Sequence, residues 1–403
     1  MDMKKLNSPE NDSSLWTIFY NYDYMSGCPD PSKFSSIAQM PATVNANVDL
    51  ASLDRLLETN PTIKSNSFQL RPVEAGLPWH TSFNVLRQNK HWKPAITMTN
   101  RLLELFAADD TAMIALRQKN KSYAAVAKAE IGRIHDNWSR FNAYMWPAAD
   151  QRRLELIAAT IVFVFIFDDI WEMNDDENIR MIQAEFISRL KVTDAPAIHD
   201  ATPLQTLIGD IMQGFYSEDL KEGNGGKDVI ERLVDFCNHS PPKKEFTTLR
   251  EFLDYRIDDA AAPYVFACVK FSLRSNVDIA SPRIAQFMSL AADHICYGND
   301  LGSFDKEKEA YMSGDVLYLI NTVDMVQKVF NLEDTNSAKS AALALQLQNE
   351  KQIMAELSRL RSSPDVTDAE LEFVEAVVYT LVGNIFGCVV MCRYGGEAVR
   401  ISI

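Results

Sequence analysis

Asp168, Asp169 and Glu172 follow directly on the most apolar stretch of the chain, residues 158–167 (A-A-T-I-V-F-V-F-I-F). Carboxylates at the end of a buried element are costly, because burial strips them of water. If the run is helical, they also face the negative end of the helix dipole. A divalent cation is the simplest group that offsets both effects. A second acidic cluster, residues 299–307 (N-D-L-G-S-F-D-K-E), could supply the other half of such a site. At about 100° per residue, Asp168 and Glu172 lie roughly 40° apart on one helix face, with Asp169 to the side. Asn299, Ser303 and Glu307 span about 80° over two turns, so an amide oxygen, a hydroxyl and a carboxylate face one way. Oxygen-only ligands suit Mg²⁺, which keeps waters and takes its remaining ligands from substrate phosphates. Other acid doublets occur at Asp109-Asp110, Asp175-Asp176 and Asp258-Asp259, and such doublets are common on solvated helices. The apolar run before Asp168 sets it apart.

The elements that must position these groups read as helices. Residues 150–172, 283–298, 316–330, 338–361 and 367–392 carry Leu, Ile, Val, Ala and Met at three- and four-residue spacing. Punctuation falls between them, at 196–203, 217–226, 276–282, 331–337 and 363–365. No convincing alternation of strands and no internal repeat is visible. The first part of the chain, rich in Ser, Asn and Pro, reads as an irregular arm with one helix near 49–59. Residues 376–392 are almost wholly apolar. They fall short of the ~20 residues that span a bilayer and contain Asn384 and two glycines, so a buried core helix is the better reading.

Composition bounds the function. With 403 residues, 47% apolar and 24% charged, the chain is a folded protein able to bury a large core. A formal charge of −15 argues against a nucleic-acid or anionic-membrane binder. An anionic substrate would have to be met by metal ions or by a few placed Arg and Lys. The six cysteines form no C-x-x-C pair and read as reduced core thiols. The histidines form no H-E-x-x-H, which makes a zinc site improbable. The N-terminus lacks an apolar leader, so a cytoplasmic location is expected.

The two clusters, in this order and about 130 residues apart, resemble the metal motifs of the class I terpene synthases. Asp168-Asp169-Ile170-Trp171-Glu172 looks like the D-D-x-x-E form of the aspartate-rich motif. Asn299, Ser303 and Glu307 fit the second metal motif, with Lys306 in the K-E pair that closes it. Arg393-Tyr394 matches the R-Y pair that binds diphosphate, and Arg256 falls where the family keeps its pyrophosphate-sensing arginine. Pro263 disfavours helix at the residue before it, so a break belongs near 259–263. The resemblance makes Asp259 the linker and Ala260 the effector of that break.

The resemblance implies an all-α fold: a single α-domain helical bundle over residues 79–403 around an apolar cavity, with residues 1–78 as an arm packed on it. It implies a lyase. Asp168, Asp169, Glu172, Asn299, Ser303 and Glu307 would hold Mg²⁺, three ions in the family, with Mn²⁺ as a substitute. Arg256, Lys306, Arg393 and Tyr394 would bind an isoprenoid diphosphate, and Phe165 would line the pocket with Trp146 and Phe386. Asp168, Arg256, Asp259, Ala260, Arg393 and Tyr394 would form the catalytic set. Neither nucleic acid nor stable membrane insertion is expected, and the protein would be a monomer or homodimer. Farnesyl diphosphate is the expected substrate and a sesquiterpene the product, because single-domain enzymes of this length look like fungal sesquiterpene cyclases. Among those the chain looks somewhat like the humulene-forming enzymes. The alternatives are a diterpene cyclase using geranylgeranyl diphosphate and a chain-elongating prenyltransferase. The latter would show a second D-D-x-x-D where this chain has Asn299, Ser303 and Glu307.

Overall fold

Asp150 starts the helix that carries the first acid cluster: its carboxylate accepts the Arg153 amide at 2.9 Å, and the chain runs helically from Gln151 to Trp171. Two thirds of that helix is buried and its apolar residues go all round, so it is a central element and not a surface one. The computed structural model describes residues 18, 20–38, 54–109, 122–172, 176–190, 202–221, 225–242, 245–396 and 398. Its elements in chain order begin with α1 (Asp54–Thr59), α2 (Pro61–Asn66), β1 (Ser67–Leu70), β2 (Leu86–Asn89), α3 (Trp92–Ala108), α4 (Tyr123–Ile131) and α5 (Phe141–Met145). There follow α6 (Gln151–Trp171), α7 (Asp176–Leu190), α8 (Pro203–Lys221), α9 (Gly225–Cys237), α10 (Leu249–Asp259) and α11 (Ala262–Ser272). The chain closes with α12 (Ala285–Ser313), α13 (Thr322–Val329), α14 (Thr335–Ser362), α15 (Asp368–Val390) and α16 (Cys392–Gly395).

The all-α architecture expected from the periodicity is present, with one addition. β1 and β2 form a small antiparallel pair, Ser67 opposite Asn89. Four-residue strands are too short to show a period against their Ser, Asn and Pro surroundings, so the hairpin was not expected. Arg87 fixes it from within, donating to the Ser67 hydroxyl at 2.8 Å and the Ser67 carbonyl at 3.0 Å.

Two helices differ from their expected spans. The helix expected to end at residue 298 runs on to Ser313, where Gly314 in the left-handed region (φ 79°) closes it. The second cluster therefore lies on the same helix as the apolar run before it. The helix expected from residue 316 starts only at Thr322, because the Asn321 side chain caps it by accepting the Val323 amide at 2.8 Å. Residues 314–321 are a connection, and they reach the site.

α12 packs on α14 and α15, α6 packs on α3, and α15 also meets α5 and α11. α15 has the length and hydropathy of a membrane span, yet its apolar stretch is entirely buried within the fold, as its interrupting Asn384 and glycines suggest. Gly383 explains how it comes so close to α5: a Cβ there would lie 2.2 Å from the Tyr144 carbonyl oxygen. All six cysteines are thiols and five are buried.

Candidate active site

The C-terminal end of α6, the middle of α12, the end of α10 and the short helix α16 converge on one cavity. It encloses about 780 Å³ of empty space, part of it open to solvent. Its depth is apolar, with Phe141, Ile161, Phe165 and Tyr264 among the walls. Its mouth carries Asp168 and Glu172 from α6, and Asn299, Lys306 and Glu307 from α12. Arg256, Arg393 and Tyr394 complete that mouth.

On the α6 side, one carboxylate oxygen from each of Asp168, Asp169 and Glu172 falls within 4.8 Å of the others. Such crowding cannot hold three negative charges without compensation. Burial, with Asp169 and Asp259 adding to it, pushes the Asp168 carboxyl up to about 7. Burial and Asp168 push Glu172 well above the carboxylate range. Asp169 behaves differently. Burial raises it, but Arg393 outweighs that effect and holds it below its ordinary value. The Arg393 guanidinium donates to both Asp169 oxygens, at 2.5 and 3.4 Å, and lies 4.9 Å over the Phe165 ring. Glu130 stands 3.8 Å from the same guanidinium. Asp169 is thus engaged by Arg393, while Asp168 and Glu172 face the cavity.

On the α12 side, Asn299 links two of the expected diphosphate binders. Its amide nitrogen donates to the Tyr394 hydroxyl at 3.1 Å, and its oxygen accepts from Arg256 at 3.1 Å. Ser303 is 1% exposed and its hydroxyl has no hydrogen-bond partner among the described residues. A buried hydroxyl without a partner is an oxygen donor still open to an added ligand. Glu307 keeps one oxygen bonded at 2.9 Å to the Asn321 amide. These oxygen donors, with the crowded carboxylates of α6, fit a divalent hard cation.

Arg256 shows how the basic side of the site is held. It donates to Asp300 from Nε at 3.0 Å and Nη2 at 2.8 Å, and its Nη1 bonds Asp259. Burial disfavours the guanidinium charge, but Asp300 and Asp259 more than offset this and keep it firmly protonated. Asp259 in turn receives the Tyr255 hydroxyl at 3.2 Å. His239 Nε2 lies 3.2 Å from the same oxygen, within ion-pair range but off the hydrogen-bonding axis.

The helix break expected near Pro263 is present one residue past the expected effector. α10 ends at Asp259, Ala261 takes a left-handed conformation (φ 54°, ψ 27°), and α11 starts at Ala262 with Pro263 in its first turn. A left-handed alanine is strained by about 1 kcal/mol or more, and such strain collects at functional sites. Val265 takes the Ala261 carbonyl at 3.0 Å. Among the described residues no backbone amide is found on the Ala260 carbonyl, and both alanines line the cavity.

Other expectations fare unevenly. Phe165 lines the cavity, as do all the expected ligands except Asp169 and Ser303. Trp146 and Phe386 do not: Trp146 is fully buried against Phe141, and Phe386 packs edge-on to Tyr144 at 4.7 Å. Both point into the helix-packing core, which claims most large aromatics. Of the other doublets, Asp259 alone joins the site, while Asp110 and Asp175 lie outside the described residues. Sequence reasoning missed Asp300, Glu130, Asn321 and His239. Asp300 had a signal, being an acid inside the second cluster, whereas Glu130, Asn321 and His239 stand alone in ordinary surroundings.

Known proteins of similar sequence point the same way. Residues 159–348, which include both acid clusters, match the family described as terpene synthase family 2, C-terminal metal binding. Terpene cyclase 6 of Gibberella fujikuroi is 24% identical over 344 residues, covering 82% of this chain and 85% of that protein. Terpene cyclase aneC of Aspergillus aculeatus is 24% identical over 341 residues, covering 82% and 74% respectively. Among solved structures, aristolochene synthase from Penicillium roqueforti superposes with a TM-score of 0.57 at 16% identity, over 72% of this chain and 93% of its own. With a metal-binding terpene synthase family model spanning both clusters and terpene cyclases aligned over most of the chain, these likenesses support a class I terpene synthase.

Proposed function

We propose that this enzyme ionises farnesyl diphosphate and cyclises the resulting cation to a sesquiterpene, releasing diphosphate. The observation that carries the reading is the placement of two acid clusters and three basic side chains around the mouth of one apolar cavity. Asp168 and Glu172 from α6, and Asn299, Ser303 and Glu307 from α12, would hold Mg²⁺. When bound, Mg²⁺ would neutralise the diphosphate and stabilise it as a leaving group. Arg256, Lys306, Arg393 and Tyr394 donate hydrogen bonds to the diphosphate oxygens. These donors are already placed around the cavity, so little reorganisation accompanies the reaction. The C–O bond breaks with its electron pair on the diphosphate, and an allylic cation remains in the apolar depth. Tyr264 lines the pocket with an aromatic ring that stabilises positive charge without reacting with it, Phe165 adds apolar wall while its ring holds Arg393, and the Ala260 carbonyl adds a dipole of suitable sign. The enclosing apolar walls exclude water and delay quenching.

The burial of α15 supports a protein that uses this helix as core, and we place the enzyme in the cytoplasm. A humulene-type product is the reading that the sequence resemblance carries. Incubation of the pure protein with farnesyl diphosphate and Mg²⁺, followed by gas chromatography, tests the proposal. A volatile C15 hydrocarbon or alcohol supports it. A longer diphosphate would instead make it a prenyltransferase, and turnover of geranylgeranyl diphosphate alone would make it a diterpene cyclase.

A further inference from the structure

The connection between α12 and α13 ends in two buried polar residues, Asn321 at 1% and Thr322 at 0% exposure. Asn321 does three things at once. Its oxygen caps α13 through the Val323 amide at 2.8 Å. Its amide nitrogen donates to the Asp300 carbonyl and to Glu307 Oε2, each at 2.9 Å. Thr322 completes the junction: its amide and hydroxyl donate to Asp300 Oδ2 at 2.7 and 2.5 Å. The same connection touches the opposite wall, where the Leu317 amide bonds the Glu172 carbonyl at 3.2 Å.

Glu307 is a long side chain whose carboxylate would otherwise sample many rotamers, and the Asn321 amide ties one of its two oxygens. Ordering a carboxylate during folding, and not at the moment an ion arrives, raises its affinity for that ion. The Asn321 amide does so while also capping α13, because the cap uses the oxygen and the tie uses the nitrogen. We propose that Asn321 is a positioning residue for metal binding: it fastens Glu307 by Oε2 and leaves Oε1 as the ligand atom. This inference rests on the reading of Glu307 as a metal ligand.

The decisive variant is Asn321→Ser. Serine keeps an oxygen able to cap α13 but has no amide to offer Glu307. Titration calorimetry of the pure protein with Mg²⁺ in the presence of inorganic pyrophosphate should show apparent metal affinity falling roughly 10- to 100-fold, the range for losing a bond that orients a ligating group. The thermal midpoint without metal should move little. Asn321→Asp, which keeps both the cap and the size but sets a second carboxylate against Glu307, should weaken binding at least as much. Glu307→Gln and the double variant separate the possibilities. If Asn321→Ser adds no further weakening in the Glu307→Gln background, the effect runs through Glu307, as proposed. Additive losses would mean that Asn321 acts through the fold, and wild-type affinity in Asn321→Ser beside a loss in Glu307→Gln would mean that no positioning is needed. Either result overturns the inference and leaves the ligand reading intact. Wild-type affinity in Glu307→Gln would instead remove the ligand reading itself, and the inference with it.

Discussion

Replacing Asp300 with asparagine tests the framework that holds Arg256. Asp300 is fully buried and its two oxygens receive four hydrogen bonds, two from Arg256 and two from Thr322. An asparagine keeps one oxygen and turns the other position into a donor. That donor must then face either the guanidinium, which loses both its bonds, or the Thr322 amide, whose bond is lost while the Thr322 hydroxyl can turn to accept. Breaking a buried ion pair costs about 3–5 kcal/mol, because the remaining charge is left uncompensated. Arg256 still has Asp259 and Asn299, which places the loss near the lower end, about 3 kcal/mol. At roughly 2.1 cal/mol/K per residue, 403 residues give an unfolding entropy of about 0.85 kcal/mol/K, so the thermal midpoint should fall by about 3.5 °C. The freed guanidinium also predicts a second effect. Inorganic pyrophosphate with Mg²⁺ should stabilise the variant more than the wild-type protein, because it supplies the missing anion. Differential scanning calorimetry with and without pyrophosphate measures both effects. A midpoint within about 1 °C of wild type, or equal stabilisation of the two proteins, would refute the ion-pair argument.

Asp168→Asn and Asn299→Leu should each nearly abolish turnover of farnesyl diphosphate while leaving the helical circular dichroism unchanged; wild-type rates in either would sink the assignment of the site. In metal-free protein Asp168 is held near pH 7, above its unfolded value, so the native state keeps its proton more tightly. Its contribution to stability is therefore full below about pH 4 and is lost as pH rises toward 7. The midpoint of Asp168→Asn should decline less than wild type across that window, and parallel profiles would contradict the assignment. Arg393→Lys keeps a charge but loses the fork on Asp169 and the stacking on Phe165, so kcat/KM should drop about tenfold or more with little change in fold. Gly383→Ala drives a methyl into the Tyr144 carbonyl and should cost about 3 kcal/mol or more, read as a lower midpoint or as insoluble protein.

The two acid clusters were legible because they combine an unusual residue type with an unusual place: acids after an apolar run, and an amide, hydroxyl and acid on one helical stripe. Arg256 and Arg393 were legible only through family resemblance, since a single arginine in a helix carries no pattern of its own. Ser303 could be named from its spacing, but that its hydroxyl meets no partner among the described residues is visible only in three dimensions. Asn321 was hidden for a different reason. The apolar period of the following helix extends backwards over residues 316–321, and the cap that ends it depends on a turn geometry that periodicity does not encode. The left-handed residue at Ala261 shows the same limit, because Pro263 announces a break without fixing which residue takes the strain.

The buried α15 ties assembly of the site to assembly of the whole protein. Arg393 and Tyr394 follow it closely, and its 23 residues find cover among α1, β2, α5, α11, α12 and α14. During synthesis those partners emerge first and wait with an apolar groove uncovered, the kind of surface that recruits chaperones or aggregates. When α15 docks, it closes the core and delivers the arginine that neutralises Asp169 in the same movement. A chain that stalls before this step has neither a closed core nor Arg393 and Tyr394 at the mouth of the cavity, so a half-folded molecule lacks the walls and the site together.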